Sequence, residues 1–231
     1  MTNFNHEGNF EGDSEDRGNT YWRELDWKQF LTRREKETAR FLMHYDNCPV
    51  GATERLDWVA LQMEWEADDW AVGDGVEDDE SASEDRQWQE ADEDASQDED
   101  PYTIHRHPVY IVCSGLFLQL RFTWRRVMRE KRQVDGLLSW DFADCLNEAE
   151  KHSLLGMQCM DMADYMLCVV HFKRALRGIN AAMSLLPKLI LDVSGTKELE
   201  SCCLMRLFDL REVCLRVIQD CRDEDKRDFG D

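Results

Sequence analysis

Between residues 199 and 221 the apolar side chains Leu199, Cys203, Leu207, Leu210, Cys214, Val217 and Cys221 recur in steps of four, four, three, four, three and four. A strand would need alternation, whereas this spacing gathers all seven on one stripe of an α-helix, as the seam of an antiparallel bundle requires. A stripe that long must be covered by other helices, and the residues upstream supply them. A helix over 108–132, with Pro108 in its first turn, turns Val109, Cys113, Leu116, Phe117, Leu120, Trp124, Val127 and Met128 inward. After "VDGLLS" a second helix starts under a cap from Ser139 or Asp141 and buries Phe142, Cys145, Leu146, Ala149 and Leu155. The stretch 139–193 is too long for one ordinary helix. A break is therefore expected at Gly156 or Asp161, with a third helix over 161–191 kinked at Pro187 and a fourth over 196–222. The fold class is all-α: an up-and-down four-helix bundle over 102–223, followed by a polar tail over 224–231.

A smaller helical unit precedes it over 21–71. Trp22, Leu25, Phe30, Phe41, Leu42 and Tyr45 follow an imperfect helical spacing, and Pro49 and Gly51 end that helix. Thr53 can cap a second helix carrying Leu56, Val59, Ala60, Met63, Ala67 and Trp70 on one face, with Trp58 and Trp65 on another. "RELDW" at Arg23 resembles "ERLDW" at Glu54, but the residues after them differ, so no repeat is assigned. A helical hairpin of this size buries too little surface to be stable alone. It has to dock on the bundle or on another protein.

The chain's 231 residues carry a net charge of −21, and that excess is concentrated. Residues 64–100 hold 18 acids against Arg86 alone, a net of −17, and residues 1–20 hold a further −4, which leaves the remainder neutral. Such composition cannot offset the entropy of ordering, so 1–20 is expected to be a disordered tail and 72–101 a disordered acidic linker. The acidic excess thus belongs to connecting segments, not to the candidate core.

The chain opens "MTNFNHEGNF", without the basic and apolar regions of a secretion signal, and its nine cysteines are odd in number and irregularly spaced. A cytoplasmic protein with reduced thiols is expected. The longest uncharged apolar run, 108–120, is shorter than the roughly 20 residues a membrane span needs, and 153–172 contains Asp161 and Asp164. No membrane partner is expected.

Few residues are spaced for chemistry. A bundle-borne di-metal centre needs Glu-x-x-His, but Glu148 and Glu150 stand four and two residues before His152. Asp164, Cys168 and His171 share a helical face at i, i+4 and i+7, with His152 as a possible fourth ligand; packing is the simpler reading. Cys202 and Cys203 as a redox pair, and a groove lined by Met157, Met160, Met162 and Met166, are weighed against core packing in the same way. No cofactor, metal site or catalytic residue is assigned.

The most distinctive polar pattern is basic. Arg121, Arg125, Arg129 and Arg132 form one helical stripe, with Arg126 and Lys131 nearby and a smaller cluster at Lys173, Arg174 and Arg177. The stripe is a candidate polyanion-binding surface that the acidic linker screens by tethering its charge close by. Trp22, Trp27, Trp58 and Trp65 are candidate partner-binding anchors, because exposed aromatics favour binding hot spots. Trp65, Trp70 and Trp88, set in acid, form a candidate recognition motif. The expected function is that of a non-enzymatic protein-protein interaction or scaffold module with an unidentified protein partner. A nucleic-acid or polyanion-binding regulator is the alternative, and a homo-oligomer is compatible with the sequence because the fourth helix could also pair between chains.

Overall fold

A computed structural model describes residues 22–49, 54–66, 70, 103–130, 135–190 and 197–228. Among them the chain forms six α-helices and no strand: α1 (Glu24–Asp46), α2 (Arg55–Met63), α3 (Pro108–Glu130), α4 (Gly136–Asp161), α5 (Tyr165–Ile190) and α6 (Lys197–Asp228). A short 3₁₀ turn, Ile104–Arg106, leads into α3. No described helix is long and apolar enough to cross a membrane. The acidic stretch 72–101 with Trp88, the tail 1–20, Thr53, Ala67, Lys131, Arg132 and the Leu199 side chain lie outside the described residues.

The protein is all-α, and its C-terminal four helices form the expected bundle: α3 lies against α4 and α6, α4 against α5, and α5 against α6. Cys203, Leu207, Leu210, Cys214, Val217 and Cys221 of α6 are all buried at its centre, as their three-four spacing requires. They meet Val109, Cys113, Leu116, Phe117 and Leu120 of α3, Leu146, Ala149 and Met157 of α4, and Phe172, Ala175, Ile179 and Leu186 of α5 in one continuous core. Met128, expected inside, is exposed on α3.

Close approach of α4 and α5 depends on two glycines. A β-carbon at Gly156 would sit 2.6 Å from the Phe172 ring, and one at Gly178 would sit 2.9 Å from the Cys145 carbonyl oxygen. Gly156 therefore serves packing inside α4 and does not end it. The chain turns instead after Asp161, where Ala163 takes the left-handed conformation at φ 56°. The Asp164 amide returns to the Cys159 carbonyl at 2.9 Å, which closes the helix end that a glycine more often supplies.

Two other boundaries differ from the sequence expectation. The cap of α4 is Asp135, whose carboxylate accepts from the Leu137 amide at 2.8 Å; Ser139 is buried within the helix, its hydroxyl donating to the Asp135 carbonyl. "GLLS" is thus the first turn of α4, because an aspartate before a small residue caps as well as a serine does. At the other end, α6 continues through Asp228, beyond the expected helix end at 222 and into the expected polar tail. Its polar last turns are held by Gln219–Asp223, Lys226–Asp223 and Arg227–Glu224 contacts at helical spacing. Pro187 is accommodated inside α5.

In the hairpin, α1 begins where the Asp26 carboxylate accepts from the Arg23 amide, and it buries Phe30, Phe41 and Tyr45. Leu25 faces solvent. Helix α2 buries Leu56, Val59 and Met63 but stops there, two residues short of Trp65, with Glu64 left-handed at φ 63°.

The two glycine-related sites give opposite expectations to ordinary helix propensity. Gly156→Ala should lower unfolding stability by about 1–3 kcal/mol, because the buried Phe172 ring cannot yield. Ala163→Gly should raise it by about 0.5–1 kcal/mol by relieving the left-handed turn. Urea midpoints of the two variants measure both.

Candidate interaction surfaces

The hairpin docks on the bundle in cis. A β-carbon at Gly115 of α3 would lie 3.0 Å from the Phe41 ring, so the missing side chain is what lets α1 lie down on α3. Polar contacts then tie both hairpin helices to α6. Tyr45 donates its hydroxyl to Asp209, which also accepts from Arg55 at 2.7 Å; Arg206 reaches Asp46 at 2.7 Å, and Arg216 reaches Asp57 at 2.5 Å. The Arg55 and Arg206 guanidinium groups lie 5.5 and 5.6 Å from the centre of the Tyr45 ring. Burial and the Asp209 charge push the Tyr45 hydroxyl far above its usual range, so it remains a donor.

This docking decides where the tryptophans go. Trp65 stacks on Phe41 at 6.2 Å and receives the edge of Trp70 at 5.5 Å, while Trp58 is half-buried against the core. Trp22 and Trp27 pack on each other and on Phe30, which meets the His105 ring edge-on. Of the four expected anchors, Trp27 is the most open, at 40% exposure, and the other three are half-buried.

Helix α1 leaves a groove on each side where it crosses α3. One, of about 400 Å³, is mainly apolar; Leu31, Leu42, Tyr110, Leu118 and Leu154 line it, with the Arg121–Glu150 ion pair at its edge. Burial raises the Glu150 carboxyl pKa, and the Arg121 charge opposes that rise. The other groove, of about 420 Å³, is basic, with Arg34, Arg40, Arg106 and His107 drawn from α1 and from the approach to α3.

The basic stripe on α3 divides in two. Arg121 is engaged by Glu150, whereas Arg125 and Arg129 are exposed, as is Arg126, and these three make no ion pair with any described residue. Phe122, 65% exposed, and Leu118, 50% exposed, stand on the same outward side one and two turns earlier. Sequence periodicity found the arginines, and the inward stripe read from it leaves out Leu118 and Phe122, in keeping with their exposure.

The possible metal ligands do not converge. Asp164 accepts from the Leu167 amide at the start of α5, Cys168 lies 3.3 Å from Cys221, and His171 meets His152 with 3.0 Å between their Nδ1 atoms. Among the described residues no group of three or more His, Cys, Asp or Glu side chains is placed to hold a metal. Burial pushes the Cys203 thiol up to about 12, with the neighbouring Cys202 adding to the rise. Contact with Cys221, then burial, raises Cys168 well beyond its ordinary value. Thiols so protonated are poor nucleophiles.

The architecture is that of a helical bundle carrying a docked helical hairpin. No family model, no curated protein and no solved structure matches the chain.

Two outcomes follow from these contacts. When the chain carries a protease site within residues 81–97 and is cut there, the fragment bearing α1 and α2 is expected to co-elute with the bundle on size exclusion. Asp209→Ala strands Tyr45 and Arg55 together, should cost about 2–3 kcal/mol in urea unfolding, and should release that fragment. The second concerns pH. Burial, then the nearby His171 and Arg174, lowers the His152 pKa below 6.5, against the pull of Glu148, so the unfolded chain takes up the proton first. Stability contributed by the neutral ring is present above pH 6.5 and declines as pH falls through the lowered value. Melting temperatures by circular dichroism should hold between pH 8 and 7 and fall towards pH 5, with a shallower fall in His152→Gln.

Proposed function

We propose that this protein is a non-enzymatic interaction module that presents the outer side of α3 to a protein partner. The supporting observation is the side-by-side exposure of Leu118 and Phe122 with Arg125, Arg126 and Arg129 on one face of α3. An exposed phenylalanine one turn from arginines that make no ion pair among the described residues combines apolar anchoring with charge selection, a pairing enriched at binding hot spots. The apolar groove between α1 and α3 ends at Leu118 and extends the same surface. The chemistry fits a partner with an apolar side chain bordered by carboxylates. The same three arginines favour a second reading, in which the surface contacts the phosphates of a nucleic acid.

Replacing Phe122 with the photoreactive benzoylphenylalanine separates these readings. Irradiation of cells producing the full chain should yield a discrete protein adduct heavier than 27.2 kDa, absent when the probe replaces exposed Lys151 instead. A nuclease-sensitive adduct would favour nucleic acid, an adduct of twice the chain mass a homo-oligomer, and no adduct at all would remove the support for this surface.

A further inference from the structure

The basic groove has an unusual place in the chain. Arg34 and Arg40 come from α1, Arg106 from the 3₁₀ turn, and His107 from the residue between that turn and α3, so cationic or ionisable groups distant in sequence face one cavity of about 420 Å³. Among the described residues Glu37 is the one acid lining it, joined to Arg34 at 2.8 Å. Arg40 makes a long 3.4 Å contact to the Gln62 carbonyl, and Arg106 is exposed with no ion pair among the described residues. Trp65 forms an aromatic wall.

The described residues that flank the acidic stretch lie close to this groove: Trp70 packs edge-on against Trp65 while lining a neighbouring cavity with Val109 and Arg216, and Thr103 leads into the turn that carries Arg106. Trp65 lines it and the chain runs on through Glu66 and Trp70; the chain returns at Thr103, three residues before Arg106. Between those ends, residues 71–102 hold 14 acids and Arg86 as the sole base. Even fully extended, 32 residues span about 110 Å, so a chain held close to the groove at both ends keeps its carboxylates near it at high effective concentration. Arg125 and Arg129 are more distant, about 25 and 32 Å along α3 from Pro108. The screening contact expected from sequence at the α3 stripe is better placed at this groove.

We propose that the groove formed by Arg34, Arg40 and Arg106 is a carboxylate-binding site occupied in cis by the chain's own acidic segment, residues 71–102. Any outside acidic peptide then competes with a tethered occupant. The contact is ionic, and added salt weakens it by screening.

The test uses the full chain with the 14 acids of residues 71–102 changed to Asn or Gln, and a fluorescent peptide of residues 74–100 added in trans. Circular dichroism checks that each variant keeps its helices. Fluorescence anisotropy should show the neutralised chain binding the peptide at least tenfold more tightly than the unaltered chain, with binding lost in 0.5 M NaCl. Adding Arg40→Glu and Arg106→Glu should weaken binding at least tenfold, while Arg125→Glu and Arg129→Glu should leave it unchanged. Equal binding by neutralised and unaltered chains overturns the proposal, as does loss of binding only on changing the α3 arginines. Tighter binding of a heparin fragment or of duplex DNA than of the peptide also overturns it, and assigns the groove to an external polyanion.

Discussion

Phe41 rests on α3 at Gly115, and one turn later Tyr45 passes its hydroxyl to Asp209 of α6 between two arginines. The hairpin depends on this seat. Its two helices bury too little of their own surface to fold alone, so α1 must use the bundle for cover. Apolar contact supplies the area, and the ion pairs from Asp46, Arg55 and Asp57 to α6 fix the register, because each guanidinium meets its carboxylate at one position along the helix. Both grooves exist only because α1 is placed this way.

That seat also separates packing residues from exposed ones. Aromatic residues in a small polar unit look available for a partner, yet Trp58, Trp65 and Trp70 are used in holding the hairpin down, and Trp22 leans on Phe30. Leu118 and Phe122 on α3, like Trp140 on α4 and Phe208 on α6, are exposed instead. The balance of charge follows the same division: arginines on α6 are drawn inward by hairpin carboxylates, while Arg125, Arg126 and Arg129 on α3, and Arg40 and Arg106 near the groove, stay outside those pairs.

Much of the bundle was legible in the sequence because helical periodicity is a local property. The spacing of Cys203 through Cys221 and of Val109 through Leu120 places those residues inside whatever the neighbouring helices are. Boundaries were less legible. Gly156 looks like a helix stop in isolation, but its value lies in the Phe172 ring packed 2.6 Å from where a side chain would begin. Ala163 bears no mark of a left-handed turn, and tertiary packing on both sides sets its φ.

The sequence by itself determined the all-α class, the number of bundle helices, the inward stripe of α6 and the concentration of acid between two helical units, since each depends on residue order over one or two turns or on composition. Only the tertiary structure decided that the hairpin docks in cis, that Arg121 is paired while Arg125 and Arg129 have no ion pair among the described residues, and that Arg40 and Arg106 border one groove. Those outcomes depend on which faces meet between residues 29 to 164 positions apart, and no local pattern encodes the distance between side chains brought together by packing.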